Sequence, residues 1–239
     1  MKILVFDIIG KYAHFKKVYS NSSSLSYFIP PRTTINGIVA AILGLERDTY
    51  YDDFITEKVN VALKVNLPLR KMIQTINYIY YKSQVDLIKR THATQVPFEF
   101  VTGQKNKVSY RVYINMQDQK KFDELIDLIK NNKSQYIPSL GTLSFMCDIK
   151  YIGIFETEPI NSNDYIDFSS AINMEKLVED SLKINENMHI VKEQMPRNLF
   201  KERAPDKLSD YLVDYYGNTI TLKTNCNYYN VNGENILFM

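Results

Sequence analysis

The side chains best suited to chemistry are cations and planar rings, and they lie in two segments. The first segment carries Lys16, Lys17, Tyr19 and Arg32. The second carries Lys71, Tyr78, Tyr80, Tyr81, Lys82, Lys89, Arg90 and His92. Cations contact phosphates, and planar side chains stack on unpaired bases. These residue types favour contact with a single-stranded nucleic acid, although a tyrosine in a strand more often faces a core than a ligand.

General acid–base chemistry has few candidates. The chain has three histidines, His14, His92 and His189, of which His92 shares a segment with Lys89. Three residues apart in an extended arm, these two side chains point to opposite faces. No His, Cys and Asp cluster has metal-ligand spacing, and the sequence shows neither a P-loop nor a Ser-His-Asp order. The sequence therefore predicts no catalytic residue, no cofactor and no metal.

Residues 28–44 predict a helix that begins after a proline pair. Pro30-Pro31 disfavours helix before it, and Thr33 or Thr34 can cap the helix that follows, from about Thr34 to Leu45. One apolar face at helical spacing consists of Ile35, Ile38, Val39, Ile42 and Leu43. A core helix would follow from this pattern alone.

Two further features of this helix suggest contacts. Gly37, Ala41 and Gly44 form a stripe of small residues, which predicts close packing against backbone or another chain. Arg32 lies at the N-terminal end, beside free backbone N–H groups where an anion can bind. A solvated Arg32 on a capped core helix is the alternative.

Composition bounds the class of protein. The 239 residues are 45% hydrophobic and 23% charged, as in an ordinary globular protein. No segment approaches the roughly 18 apolar residues of a membrane span. The N-terminal MKILVFDIIG is interrupted by Asp7 and reads as a strand, not a signal peptide. Cys147 and Cys226 lie far apart and suit a reducing cytoplasm.

Charge is distributed unevenly along the chain. Residues 58–121 carry twelve Lys and Arg against three Asp and Glu, a local net of +9. Residues 122–182 carry four against eleven, a local net of −7. Such polarity suits a polyanion on one face and a protein neighbour on another. Two solvated faces would give the same pattern.

The order of elements predicts an α+β fold. Strands at 2–9 and 59–65 flank the helix, and strands at 108–116 and 149–155 flank a second helix at 118–130. Between the halves lies a basic, β-rich insertion at about 66–107, in which Pro97 indicates an edge strand or an arm. This is the split βαβ plan of a ferredoxin-like or RRM-type domain. We expect that domain to span 1–158, followed by a small β-rich C-terminal subdomain at 159–239.

Several motifs resemble those of CRISPR-associated (Cas) family five, with the type I-B branch the nearest match. The first is the run 19–27 followed by Pro-Pro-Arg-Thr-Thr, Gly37 and Ala-Ala-Ile-Leu-Gly. Further matching segments are 90–97, 109–113, 136–141 and 195–197. The resemblance covers most of the chain, and residues 159–190 match least.

This resemblance implies a function. The family caps the 5′ handle of CRISPR RNA in the Cascade surveillance complex, next to a Cas family seven backbone subunit and the family eight large subunit. It also implies that the insertion is a β-hairpin thumb. Resemblance and residue chemistry together give the RNA-binding candidates Lys16, Lys17, Tyr19, Ser20, Ser22, Arg32, Thr33, Thr34, Lys71, Lys89, Arg90, His92, Gln95 and Arg111.

Two alternatives remain open. The type I-C branch of this family is a metal-independent endoribonuclease that works with Tyr, Lys and His, and its Lys and His are adjacent, whereas Lys89 and His92 are not. The resemblance further implies that a separate enzyme matures the RNA in type I-B systems, so we expect a non-catalytic subunit. The other alternative is a scaffold that contacts protein only.

Overall fold

The chain folds mainly into β-strands, and the structure, a computed structural model, describes residues 1–20, 24–89 and 93–239. Within these residues the α-helices are α1 (Arg32–Leu43), α2 (Gln84–Lys89) and α3 (Gln119–Lys130). The N-terminal strands are β1 (Lys2–Gly10), β2 (Phe15–Lys16), β3 (Ser26–Tyr27), β4 (Val59–Val65), β5 (Leu69–Ile79), β6 (Ala93–Gly103), β7 (Val108–Met116) and β8 (Cys147–Glu156). The C-terminal strands are β9 (Pro159–Ile160), β10 (Ile166–Phe168), β11 (Ile172–Asn173), β12 (Ile190–Pro196), β13 (Leu208–Asp214), β14 (Ile220–Leu222), β15 (Tyr228–Val231) and β16 (Glu234–Ile236).

The central sheet has the order β4-β7-β1-β8, and each neighbouring pair is antiparallel. Alternation along β1 and β7 places Leu4, Phe6, Ile8 and Val112 on one face. This face packs against α1 and α3 in the main core. The mixed α+β class and the succession strand, helix, strand, insertion, strand, helix, strand are those expected from the sequence.

The two core helices begin for different reasons. Asp118 caps α3, because its side chain accepts from the Lys121 backbone N–H at 3.2 Å. Helix α1 begins at Arg32, two residues before the expected start, and its N-cap is Pro31. The prediction that Thr33 or Thr34 caps this helix is therefore wrong. Proline fixes φ near the helical value and lacks an N–H, so the helix can begin directly after it.

The second face of the central sheet is covered over part of its area. Ile3, Val5 and Tyr113 point to this face and pack under Val231 and Phe238 near the C-terminal end of the chain. Toward the end of the sheet where β1 finishes, the same face carries polar residues instead. The open part of this face is therefore charged and the covered part is apolar.

The insertion forms a two-stranded antiparallel arm. Strands β5 and β6 pair from Leu69–Gly103 to Ile79–Ala93, and α2 lies at the far end. The arm is seated at its foot, where Phe98 and Phe100 are buried. From its middle to its far end the arm exposes large apolar residues, including Ile73, Tyr78, Ile79, Tyr81, Val85 and Ile88. Pro97 lies in this two-stranded arm, as its position in the sequence indicated.

The C-terminal residues form two sheets, in the orders β14-β10-β16-β15-β9 and β11-β13-β12. Asn232-Gly233 turns between β15 and β16 with φ of 52° and 83°, the left-handed pair that a tight hairpin requires. Part of this region has its own core, yet Met195, Tyr211 and Met239 join the main core. The division of the chain at residue 158 stays a prediction.

The stripe of small residues on α1 is only partly packed by this chain. Gly44 ends the helix with φ of 72°, and a Cβ there would lie 2.8 Å from Gln135 Cβ. Gly37 instead lines an open groove of about 600 Å³ with Ala41, Tyr50 and Tyr136. The prediction that Gly37 packs closely within this chain is therefore wrong, because a Cβ there would meet only Tyr50 Oη, at 3.3 Å. A contact of Gly37 with another chain stays a prediction.

Substitution of Gly37, which lies beside an open groove, can be compared with substitution of Gly141, which has no room for a side chain. A Cβ on Gly141, whose φ is 96°, would overlap the His14 carbonyl oxygen. We expect Gly141→Ala to lower the free energy of unfolding by at least about 2 kcal/mol. Gly37→Ala should leave it unchanged or raise it by about 0.5–1 kcal/mol, because alanine favours helix. Urea unfolding of both variants measures this, and a destabilised Gly37→Ala would contradict the open groove.

Candidate nucleic-acid interface

Two of the predicted RNA-binding cations meet at one buried carboxylate. Glu193 on β12 is only 2% exposed. Its carboxylate accepts from Lys17 Nζ at 2.7 Å and lies 3.6 Å from Lys71 Nζ. Lys71 Nζ also lies 3.4 Å from Glu99 Oε2. We call Lys17, Lys71, Glu99 and Glu193 the ion cluster.

The ion cluster joins segments that are far apart in sequence. Lys71 Nζ donates to the Ser26 carbonyl at 2.5 Å and lies 4.5 Å from the centre of the Phe28 ring. The Ser26 backbone N–H donates to Glu99 Oε2 at 2.8 Å. The foot of the arm is thereby fixed to the segment that precedes α1 and to β12.

The surroundings shift the pKa values of the two lysines in opposite directions. Burial opposes the charged form of Lys17, but hydrogen bonds to Glu193 and Tyr19 outweigh it and raise the pKa. Burial dominates at Lys71 and lowers its pKa, against the attraction of Glu193 and Glu99. Two lysines and two carboxylates leave the ion cluster with no formal net charge. It positions the arm more than it attracts an anion.

His14 seats the arm on its other side. Its ring stacks on Phe98 with centroids 4.2 Å apart. Nδ1 lies 2.6 Å from the Glu99 carbonyl oxygen and Nε2 lies 3.0 Å from Ser24 Oγ. Burial lowers the pKa of His14. Both ring nitrogens therefore have structural partners.

Arg32 lies where a solvent-borne anion does not reach it. Its side chain is 1% exposed and donates to Val59 O at 2.6 Å, to Asn198 Oδ1 at 3.0 Å and to Arg197 O at 3.2 Å. Burial lowers its pKa to about 10. The expected open anion site at this helix end is therefore corrected, because residues 197 and 198, distant in sequence, cover the guanidinium.

The remaining candidates near the first helix differ in exposure. Lys16 is exposed on β2, and Tyr19 is exposed with Lys17 Nζ 5.6 Å from its ring centre. Ser20 is buried, and its hydroxyl donates to the Lys17 carbonyl at 2.9 Å, so it closes a turn. Thr33 and Thr34 are half-buried in the first turn of α1. Ser22 lies outside the described residues.

The candidates on the arm lie away from the ion cluster. Gln95 is exposed on β6 opposite Asn77, roughly 20 Å from Lys71 at about 3.3 Å per residue. Lys89 is exposed and ends α2. The expectation that Lys89 lies in an extended segment is therefore wrong, because the chain forms a helical turn before β6. Arg90 and His92 lie outside the described residues.

Arg111 belongs to a different surface. It lies on β7, on the sheet face that α1 and α3 do not cover. Its guanidinium donates from Nε to Asp7 Oδ1 at 2.9 Å and from Nη2 to Asp7 Oδ2 at 3.3 Å, and Nη1 lies 3.6 Å from Glu234 Oε2. The hydrogen bonds to Asp7 raise its pKa further. The structure does not bring it to Lys17 and Lys71.

Sequence reasoning missed the two carboxylates of the ion cluster. Glu193 lies two residues before Met195 on β12, and both side chains are buried. An acidic residue at an inward position of an alternating strand is the signal that would have found it. Among the described residues, no group of three His, Cys, Asp or Glu could hold a metal ion. No helix in the described part of the chain could cross a membrane.

The fold is similar to those of several solved CRISPR proteins. A CRISPR protein from Archaeoglobus fulgidus aligns with a TM-score of 0.57 and 11% identity, over 99% of this chain and 98% of that chain. A chain of a CRISPR RNA-guided surveillance complex gives 0.52 and 10% identity, over 94% and 91%. A chain of the Type III-B Cmr-beta complex, bound to cognate target RNA and AMPPnP, gives 0.50 and 11%, over 92% and 86%. No curated protein matches this chain.

These likenesses define an α+β protein with the fold of known CRISPR proteins. The model of the family described as CRISPR-associated protein (Cas_Cas5) matches residues 3–187. The chain therefore belongs to this family.

The ion cluster makes a prediction about stability. Glu193→Gln leaves two partly buried lysines without their shared counter-charge, so we expect a loss of roughly 3 kcal/mol in the free energy of unfolding. Lys192→Ala is the matched control, since Lys192 is exposed and pairs with Asp210 at the surface, and it should cost less than about 1 kcal/mol. Urea unfolding measures both, and equal losses would contradict a structural role for Glu193.

His14 makes a prediction about pH. Its folded pKa lies below the unfolded value, so the unfolded chain binds a proton first as the pH falls below about 6.5. Stability from neutral His14 is complete above that pH and is lost as the pH falls through the folded pKa. We expect the urea midpoint to fall between pH 7 and 5, and to fall less in His14→Phe. Parallel profiles of the two proteins would refute this role.

Proposed function

We propose that this protein is a non-catalytic RNA-binding subunit of a type I CRISPR surveillance complex of the Cascade kind, of the type I-B branch. In this proposal it caps the 5′ handle of the CRISPR RNA. The supporting observation is the exposed arm, whose foot is fixed to the segment that carries Lys16, Lys17 and Tyr19. Family membership gives the context, because the chain belongs to the Cas_Cas5 family.

The geometry supports a cleft that contacts RNA from two sides. Lys16 and Tyr19 are exposed next to the foot of the arm, and Lys89 and Gln95 are exposed farther along it. Lys16 and Lys89 can hold phosphates, the Tyr19 ring can stack on a base, and the Gln95 amide can form hydrogen bonds with the same single strand. The arm acts as the thumb in this proposal, and Lys17 and Lys71 fix its direction.

The proposal extends to the body and to partners. The antiparallel order β4-β7-β1-β8, with α1 and α3 on one face, supports a ferredoxin-like, RRM-type body. The partners proposed are a Cas family seven backbone subunit and a family eight large subunit. The apolar residues along the outer half of the arm, such as Ile79 and Ile88, support a role in protein contact.

The non-catalytic character rests on the histidines. His14 is buried, with both ring nitrogens occupied by Glu99 and Ser24, so it is not placed to accept a proton from an RNA 2′-hydroxyl. The test is incubation of purified protein with repeat RNA, with and without EDTA. Intact RNA is expected in both. A single cut upstream of the handle, abolished by His92→Ala, would favour the endoribonuclease instead.

RNA binding should depend on the cations of the arm. Charge reversal at Lys89 and Arg90 should weaken binding of repeat RNA and flatten the slope of log affinity against log salt by about one for each lost phosphate contact. Reversal at Lys183 and Lys192 is the control with the same change in charge. Filter binding over a salt series measures this. Equal losses in both variants would contradict the placement, and no salt-dependent binding at all would favour the protein-only scaffold.

A further inference from the structure

A second exposed aromatic platform lies on the other side of the foot of the arm. Tyr216 is 43% exposed and stacks on His189 with ring centroids 3.8 Å apart and planes 12° from parallel. The buried Asp214 fixes this turn, since it accepts from the backbone N–H groups of Tyr216 at 2.8 Å and His189 at 2.7 Å. The ring is therefore held in place before any ligand arrives.

Tyr216 borders a cavity with two cations. This cavity, of about 430 Å³, is also lined by Arg70 and Lys105. Successive residues of a strand point to opposite faces, so Arg70 faces this cavity while Lys71 faces the ion cluster. Neither Arg70 nor Lys105 has an ion-pair partner within the described residues. The two surfaces lie on opposite faces of the foot.

A second cavity lies next to the first, on the side of Gly217, the residue after Tyr216. It has a volume of about 440 Å³ and is lined by Gly217, with Lys64, Lys107, Arg111 and Lys150 as its cations. Lys64 and Arg111 pair with acids. Lys107 and Lys150 have no such partner in the described ranges. Lys150 comes from the acidic part of the sequence, so the fold adds it to this basic surface.

The backbone between β6 and β7 presents cations to both cavities. Lys105 and Asn106 adopt left-handed conformations, with φ of 55° and 54°. Lys105 then lines the cavity of Tyr216 and Lys107 lines its neighbour. Such conformations are uncommon for residues other than glycine and concentrate at functional turns.

We propose that these two cavities form a second binding site for single-stranded nucleic acid, separate from the surface that holds the 5′ handle. Tyr216 stacks a base, and Arg70, Lys105, Lys107 and Lys150 hold the neighbouring phosphates. A rigid ring beside unpaired cations is the combination that binds single strands with little sequence preference. An acidic protein would satisfy the cations but not explain an exposed ring stacked and held in place beside them.

The absence of tryptophan from the chain permits a local reporter. Tyr216→Trp introduces a single tryptophan into a protein that has none. We expect a short oligo(U) RNA or an oligo(dT) DNA of equal length to quench its emission at low salt. The stronger quencher shows whether the site prefers RNA or DNA. Lys105→Glu with Lys107→Glu should weaken this binding by about tenfold. Lys120→Glu with Lys133→Glu, which makes the same change in charge on exposed residues elsewhere, should not.

Two further reporters separate this site from the proposed function. The emission of Tyr136→Trp, at the α1 groove, should not be quenched by oligonucleotides. Tyr19→Trp reports binding at the surface proposed for the 5′ handle. Quenching of Tyr19→Trp by repeat RNA without any response of Tyr216→Trp would overturn the second site and leave the proposed function standing. Quenching of Tyr216→Trp without any response of Tyr19→Trp to repeat RNA would overturn the handle-binding surface proposed at Tyr19 and leave the second site standing. A response of Tyr216→Trp to polyglutamate but to neither nucleic acid would identify a surface for an acidic protein and overturn the second site.

Differential acetylation gives a measurement that does not depend on an aromatic substitution. In the unmodified protein, oligo(U) or oligo(dT) should reduce the acetylation of Lys107 and Lys150 while Lys120 stays as reactive as in the free protein. Unchanged reactivity of Lys107 and Lys150 at saturating concentrations of both oligonucleotides would overturn the second site.

Discussion

The buried carboxylate of Glu193 is the contact on which the arrangement of the arm depends. It accepts from Lys17 before α1 and lies close to Lys71 at the foot of β5. Removing three charges from water is costly, and the cost is recovered only when the geometry and the surrounding hydrogen bonds are nearly complete. An arm that leaned differently would leave a lysine buried without its partner. The ion cluster therefore specifies one direction for the arm.

The same contact distinguishes cations that hold the fold together from cations that remain available to a ligand, two groups that look alike in sequence. Lys17 and Lys71 form ion pairs inside the protein. Their immediate neighbours differ: Lys16 is exposed, and Arg70 lines the cavity of Tyr216. In a strand, a shift of one residue changes the face, so a basic segment distributes its cations over two surfaces. A count of charge along the chain cannot separate these surfaces.

Local patterns predicted the elements better than the site. The alternation of β7 and the capping Asp118 of α3 are complete within a few residues, so their bounds could be read from the sequence. Arg32 could not be placed in this way. Two of its three partners, Arg197 and Asn198, are more than 160 residues away, and nothing near Arg32 in sequence indicates that they cover it. Tyr216 was missed for the same reason, since its cavity joins β5, the β6–β7 turn and the turn after β13.

The arm also affects how readily the free protein aggregates. Outward from Pro97, no third strand pairs with β5 or β6 among the described residues, and apolar side chains such as Tyr78 and Ile79 face water. Two-stranded ribbons with open edges recruit further strands, including those of another copy. Copies of this chain whose arm is left uncovered would therefore pair with one another through these edges. Any molecule that covers the arm would therefore also keep the protein from aggregating.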